Sequence, residues 1–166
     1  MHMSSIKLLD YQFVIAGAPS LGEDYFNQFI KDSQVKLISN RTYDLLEHSK
    51  AALVTSGTAT LETALVRIPE VVCYKANFIS YNIGKRLVKI DYISLVNLIM
   101  DREVVTELIQ DKFNPKDIEI ELNKILGGEG REKMLQDFDL LIEKLGGVGA
   151  SEKTANLIVD YLNEEV

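Results

Sequence analysis

Residues 51–65 read AALVTSGTATLETAL, and this stretch decides the fold. The apolar run at 51–55 is typical of a buried strand, and the alanine- and leucine-rich sequence after Gly57 is typical of a helix. A strand that passes through a short turn into a helix is the repeating unit of α/β proteins with parallel sheets. The sequence therefore predicts a parallel sheet with flanking helices.

The turn between this strand and this helix is suited to binding an anion. The first N–H groups of a helix have no partner within the helix, and the helix dipole places partial positive charge there. Gly57 allows a ligand to come close to the backbone, and the hydroxyls of Ser56, Thr58 and Thr60 add donors. Glu62 lies one turn into the helix on the same face as Thr58, where its carboxylate could accept hydrogen bonds from a sugar diol. The pattern indicates a nucleotide or sugar-nucleotide site; the simpler alternative is an ordinary helix start with Glu62 placed favourably near it.

The composition excludes several function classes. The chain has 166 residues, 46% of them hydrophobic and 26% charged, which is ordinary for a soluble globular protein. A net charge of −7 argues against a nucleic-acid partner, which would favour a basic surface. The two histidines, His2 and His48, lack a metal-ligand pattern, and no Walker loop or G-x-G-x-x-G motif is present, so neither a metal nor a cofactor is predicted.

Strands and helices alternate along the first hundred residues. The strands are predicted at 11–17, 35–39, 51–55 and 71–76. A helix is predicted from Phe78 to Ile90, with Lys85, Arg86 and Lys89 on a basic face that would be solvated or meet phosphates or an anionic membrane. Further helices are predicted from about Arg102, from Pro115 to Leu126, from Arg131 to Leu145, and from Ser151 onward.

Two polar features interrupt the apolar pattern near residue 100. Asn97 stands inside the run LVNLI, so its amide must find a partner if it is buried, either in a neighbouring loop backbone or in a ligand. Asp101-Arg102-Glu103 is a charged triplet at a predicted helix start. It would cap that helix or contact a phosphate or ribose, and the residues alone leave both readings open.

Three stretches together resemble the C-terminal region of the lipid-A-disaccharide synthase family. They are SGTATLETAL at 56–65, YNIGKRLVKIDYISLVNLI at 81–99 and DREVVTELIQ at 101–110. Their order and spacing also match that family, and the likeness covers roughly residues 11–126. The resemblance implies a Rossmann-like parallel sheet with flanking helices, which is an incomplete C-terminal domain of a GT-B fold followed by C-terminal helices. We expect the partial UDP-sugar-binding domain at 6–126 and the helical extension at 127–166.

The resemblance also implies a function. Enzymes of this family transfer 2,3-diacylglucosamine from its UDP donor to 2,3-diacylglucosamine 1-phosphate, forming lipid A disaccharide 1-phosphate and UDP. The C-terminal domain holds the donor, so the binding residues expected here are Ser56, Gly57, Thr58 and Ala59 at the phosphates, Glu62 at the ribose, and Asn97, Arg102 and Glu103 shaping the pocket. The catalytic base is expected in the N-terminal domain, so no catalytic residue is assigned to this chain.

Departures from the family pattern limit what this chain should do alone. Val96 stands where the family usually has proline, and Asp101 stands where it usually has glycine, next to the proposed anion pocket. The N-terminal domain and a G-S-R phosphate motif that would precede these residues are absent, so we expect a fragment that is inactive by itself. The family implies a cytoplasmic location, peripheral to the inner membrane, and the apolar face of the last helix favours a homo-oligomer or packing onto the donor domain.

Two alternatives stay open from the sequence. One is another UDP-sugar enzyme of GT-B architecture, such as a UDP-N-acetylglucosamine 2-epimerase, which would be expected to show a different glycine-rich loop. The other is a non-catalytic α/β binding module that takes no nucleotide. Titration with UDP distinguishes a UDP-sugar-binding protein from a module that takes no nucleotide.

Overall fold

The computed structural model describes residues 10–18, 20–31, 33–55, 57–75, 91–147 and 149–164. The helix predicted over 78–90, with its three basic residues, lies outside these ranges, as does Ser56.

The strands are short and all of their pairings are parallel. They are β1 (Val14–Gly17), β2 (Lys36–Ser39), β3 (Ala52–Val54), β4 (Glu70–Tyr74) and β5 (Thr106–Ile109). β1 pairs with β2, and β4 lies between β3 and β5 in a second sheet. Parallel pairing requires crossover connections, which the intervening helices supply. The α/β fold with parallel sheets and flanking helices is thus confirmed.

Seven α-helices are described along with these strands, and a 3₁₀ turn at Gln110–Lys112 follows β5. They are α1 (Glu23–Ile30), α2 (Thr42–Glu47), α3 (Thr58–Leu65), α4 (Leu95–Met100), α5 (Pro115–Ile125), α6 (Gly128–Lys144) and α7 (Ala150–Glu164). α5 begins as its sequence predicts: Pro115 occupies the first turn, and the side chain of Asn114 accepts a hydrogen bond from the Asp117 N–H.

The core lies between the three-stranded sheet and the helices that follow it. α3 and α4 pack side by side, and α6 contacts both of them. The most deeply buried apolar side chains come from the sheet, α4, α5 and α6, and from the segment before β5: Val71, Val72, Val96, Val105, Ile118, Phe138 and Leu141. α6 therefore packs into the same core as the sheet, although it lies beyond residue 126, where we expect the domain to end. That domain boundary stays a prediction.

α6 braces one edge of the sheet. We call the edge where β3, β4 and β5 begin the amino edge, and the edge where they end the carboxyl edge. Arg131, in the first turns of α6, donates to the carbonyl of Lys50 at 2.6 Å, just before β3. Farther along, Asp139 pairs with Arg67, which precedes β4, and Lys144 donates to the carbonyl of Ile99. Side chains of α6 therefore tie together the loops of the amino edge.

The helix predicted from about Arg102 is wrong. The backbone turns at Asp101, whose φ of 53° is left-handed, and Thr106–Ile109 forms β5 beside β4. The run VVT at 104–106 consists of β-branched residues, which fit a pleated surface better than a helix. Pairing with β4 therefore overrides the helical spacing of the apolar residues.

Candidate functional site

At the junction of β3 and α3, the helix starts at a glycine and without a side-chain cap. Gly57 has φ 122° and ψ −157°, a conformation that side-chain-bearing residues rarely adopt, and it is the N-cap of α3. No described side chain caps this end of the helix. Thr58 and Ala59, the first helical residues, are exposed. The start of α3 is therefore accessible from the carboxyl edge.

Two threonines of α3 stabilise this turn rather than face a ligand. Thr60 is fully buried, and its hydroxyl donates to the carbonyl of Gly57 at 2.8 Å. Thr63 donates in the same way to the carbonyl of Ala59 at 2.8 Å. The expected role of Thr60 as a ligand donor is therefore wrong, because its hydroxyl already donates its proton to the Gly57 carbonyl. Thr58 is exposed on the outer side of the helix.

Glu62 lies where the sequence predicts. It is exposed on α3, one turn after Thr58, and its side chain points away from the core to which Ala64 belongs. The structure thus brings together Gly57, Thr58, Ala59 and Glu62 on one helix.

Asn97 is a fully buried residue whose amide is satisfied by the protein. Its Oδ1 accepts from the N–H groups of Val104 at 2.7 Å and Val105 at 3.0 Å. Its Nδ2 donates to the carbonyl of Val105 at 2.8 Å and to Glu107 at 2.9 Å. All four hydrogen-bonding positions of the amide are used. Asn97 therefore joins α4 to the start of β5, and no hydrogen-bonding position of its amide is left for a ligand.

Arg102 and Glu103 lie at the amino edge, in the segment between α4 and β5. Arg102 donates two hydrogen bonds to Asp137 of α6, at 3.0 Å and 2.7 Å. These bonds raise the pKa of the guanidinium, although burial acts in the opposite direction. The start of α3 lies at the carboxyl edge, so the structure does not bring Arg102 and Glu103 together with Gly57.

Sequence reasoning missed Glu107. Its carboxylate accepts hydrogen bonds from the N–H groups of Ile93 and Ser94, the Ser94 hydroxyl and the Asn97 amide. These partners are 10 to 14 residues away along the chain. No local spacing signals them, because α4 and β5 meet only in the folded sheet.

Sequence reasoning also missed Glu70, the first residue of β4. The side chain is fully buried, and neither of its carboxyl oxygens has a hydrogen-bond partner among the residues that the structure describes. Burial raises the pKa of this carboxyl well above its usual value. Glu70 lies at the amino edge, away from the start of α3, so it takes no part in the anion site.

The remaining titratable groups of interest serve the structure. Within the described ranges, no group of three or more potential ligands could hold a metal ion. His48 contacts the carbonyl of Asp44 through Nδ1 at 2.8 Å, which fits a satisfied surface histidine. Cys73 is a buried free thiol, and burial raises its pKa to about 12.

Among the helices that the structure describes, none is long and apolar enough to cross a membrane.

The chain matches the family model described as lipid-A-disaccharide synthetase over residues 13–159. It is 42% identical over 157 residues to a lipid-A-disaccharide synthase of Syntrophus aciditrophicus, covering 92% of this chain and 41% of that protein. The corresponding enzyme of Geobacter sulfurreducens is 34% identical over 160 residues, with 95% and 42% covered. That of Nitrosococcus oceani is 38% identical over 159 residues, with 94% and 41% covered. The chain thus spans about two fifths of the length of these relatives.

Proposed function

Because the chain belongs to the lipid-A-disaccharide synthase family, we propose that it forms the donor-binding part of a glycosyltransferase of lipid A biosynthesis. The donor would be UDP-2,3-diacylglucosamine, and the acceptor 2,3-diacylglucosamine 1-phosphate. The products would be lipid A disaccharide 1-phosphate and UDP. Residues beyond this chain, in the remaining three fifths of the relatives' length, would supply the acceptor site and the general base.

The observation that carries this proposal is the accessible start of α3. Gly57 is the N-cap of the helix, the Thr60 N–H bonds back to the Gly57 carbonyl, and no described side chain caps the N–H groups before it. Backbone N–H groups at a helix start bind phosphate without a metal ion. Ser56, Thr58 and Ala59 would contact the donor phosphates with Gly57, and Glu62, one turn farther, would accept from the ribose hydroxyls.

This arrangement also suits the chemistry of the transfer. When the glycosidic bond to UDP breaks, negative charge develops on the departing phosphate. Preorganised N–H groups at the start of α3 would stabilise that charge more in the transition state than in the ground state. Proton removal from the attacking hydroxyl needs a base at hydrogen-bonding distance, which we place outside this chain.

Asn97, Arg102 and Glu103 would act on the donor pocket through the protein. Asn97 holds the start of β5 to α4, and Arg102 holds the same segment to α6 through Asp137. α4 packs against α3, and α6 contacts both helices. Glu103 is exposed beside Arg102 and would shape the outer part of this segment.

Titration of the 166-residue chain with UDP tests the proposed site. We expect saturable binding by calorimetry, and Glu62→Ala to weaken it about tenfold, since a hydrogen bond to a charged group contributes about 1.5–3 kcal/mol. Ser56→Ala should weaken it less. The control is Glu132→Ala, which removes an exposed glutamate from α6 and should leave the affinity unchanged. No binding at millimolar UDP would favour the non-catalytic α/β module.

The apolar side chains of α7 favour association of the chain with a partner. Leu157, Ile158, Val159, Tyr161 and Leu162 are each more than half exposed on this one helix. Contiguous exposed apolar surface promotes association. The partner would be the remainder of the same enzyme or a second copy, and contact with the inner membrane is a further proposal.

We therefore expect the isolated chain to form dimers at micromolar concentration, measured by sedimentation equilibrium. Ile158→Lys combined with Leu162→Lys should return it to a monomer, because lysine cannot be buried unpaired in an apolar interface. The matched control, Asn156→Lys with Asn163→Lys, adds the same charge at exposed polar positions of α7 and should keep the dimer. A wild-type chain that stays monomeric well above micromolar concentration would contradict self-association.

A further inference from the structure

α3 and α4 pack against each other, and they differ in how their starts are occupied. Val54, Val72 and Glu107 are paired across β3, β4 and β5, so they lie at one level of the sheet. Val54 is the last residue of β3, and α3 begins four residues later. The residues just before α4 bind Glu107 at that same level. α3 therefore begins beyond this level, toward the carboxyl edge, while the start of α4 is held at it, and the two helices pack against each other.

The start of α4 is filled by protein groups. Ser94 Oγ accepts from the Asn97 N–H at 3.3 Å, and the Glu107 carboxylate takes the Ser94 N–H at 2.9 Å and the Ile93 N–H at 2.9 Å. The Ser94 hydroxyl donates to the same carboxylate at 2.8 Å. The start of α3 has no such cap within the described residues. The start of α3 is thus uncapped among the described residues, while a carboxylate already occupies the start of α4.

We propose that Glu107 is a positioning residue of the donor site. Its carboxylate fixes residues 93–94 and the start of α4 beside α3, and this segment forms a second wall of the pocket. The wall contacts the part of the donor beyond its phosphates. The inference rests on the proposed function, because it assigns a wall to the same site.

Several observations make Glu107 the residue on which this wall depends. Ser94 and Asn97 are both fully buried, so neither can find solvent if the carboxylate is lost. Glu107 Oε1 accepts hydrogen bonds from both residues. The Ile93 N–H lies nearer to Oε2, at 2.9 Å, than to Oε1, at 3.1 Å. A glutamine at this position would keep Oε1 as an acceptor. Its NH₂ group would take the place of Oε2 and face the Ile93 N–H. Two donors cannot share that contact, so the substitution displaces Ile93 while the side-chain volume is kept.

The test compares ligands that do and do not reach the second wall. Pyrophosphate, UDP and UDP-N-acetylglucosamine are titrated by calorimetry against the wild-type chain and Glu107→Gln, well below the melting temperature of each. We expect the pyrophosphate dissociation constant to stay nearly unchanged and that of UDP-N-acetylglucosamine to rise about tenfold, the effect of losing roughly 1.4 kcal/mol of binding free energy. UDP shows whether the nucleoside or the sugar contacts the wall.

The control is Glu121→Gln, which neutralises another half-buried glutamate near β5. Glu121 contacts Thr106 and Lys124 and touches neither α3 nor α4 in the described contacts, so no affinity should change. If Glu107→Gln does not fold, Ser94→Ala replaces it, with the same selective but smaller loss expected. Equal losses for all three ligands, or no loss for any, overturn the inference. A wild-type chain that binds none of them instead refutes the proposed function.

Discussion

Asn97→Ala should lower the free energy of unfolding by at least about 3 kcal/mol, since three buried backbone groups lose their partner at about 1–3 kcal/mol each. Those groups are the N–H of Val104 and the N–H and carbonyl of Val105. Bulk solvent does not reach these groups in the folded chain, because Asn97 is fully buried. Urea denaturation followed by circular dichroism measures the change, and the melting temperature should fall by at least about 6 °C.

Asn97→Asp separates the amide's accepting and donating roles. The new carboxylate still accepts from Val104 and Val105, but it places a second oxygen against the Val105 carbonyl and Glu107. This variant should be destabilised at neutral pH and recover in acid, where the introduced carboxyl is protonated and can donate. The control is Asn123→Ala, an exposed position on α5 that should change stability by less than about 0.5 kcal/mol. If Asn97→Ala were as stable as that control, the hydrogen bonds of Asn97 would contribute nothing to the fold.

Glu70→Met should have the opposite effect and raise the free energy of unfolding by roughly 1–3 kcal/mol, which is the cost of a buried polar group without a partner. The Glu70 side chain is fully buried at the start of β4, and in the described part of the chain neither oxygen has a hydrogen-bond partner. Methionine has a similar length and no carboxylate to desolvate, and its flexible chain adapts to an irregular space. The measurement is again the free energy of unfolding in urea.

The effect of Glu70 depends on pH, and its sign follows from the direction of the shift. Burial raises the pKa of Glu70 in the folded chain above the unfolded value of about 4.3. The wild-type chain is therefore favoured below that unfolded pKa and loses stability as pH rises through the folded pKa. Glu70→Met should lack this component, so its advantage grows with pH. Glu132→Met, at an exposed position of α6, serves as the control and should follow the wild-type curve. A variant less stable than wild type at every pH would refute the cost assigned to this carboxyl.

The parts of the fold that were predicted correctly depend on local pattern. The four strands expected from short apolar runs are present, although Glu70 rather than Val71 begins β4. The turn at Gly57 and the helix after it also follow from a few adjacent residues. Pro115 marks the start of α5 because its missing N–H is tolerated in the first turn.

The parts that were missed depend on which segments meet. The sequence predicts a helix at β5, where the apolar residues fit helical spacing. In the structure, the Asn97 amide accepts hydrogen bonds from the N–H groups of Val104 and Val105, and the next residues pair with β4. The roles of Glu70 and Glu107 follow from the register of β4 with its neighbours. In the candidate site, the accessible start of α3 was predictable from sequence, whereas the occupied start of α4 was not.

The brace that α6 places on the amino edge has a consequence for synthesis of the chain. Arg131 reaches back 81 residues to the Lys50 carbonyl, and Asp139 reaches back to Arg67. The strands and α3–α4 therefore leave the ribosome before the helix that closes them, and contacts of such long sequence separation form late. During that interval of translation, the surfaces later covered by Phe138 and Leu141 are open to other chains. The nascent chain is most prone to aggregation while residues 128–144 are still being made.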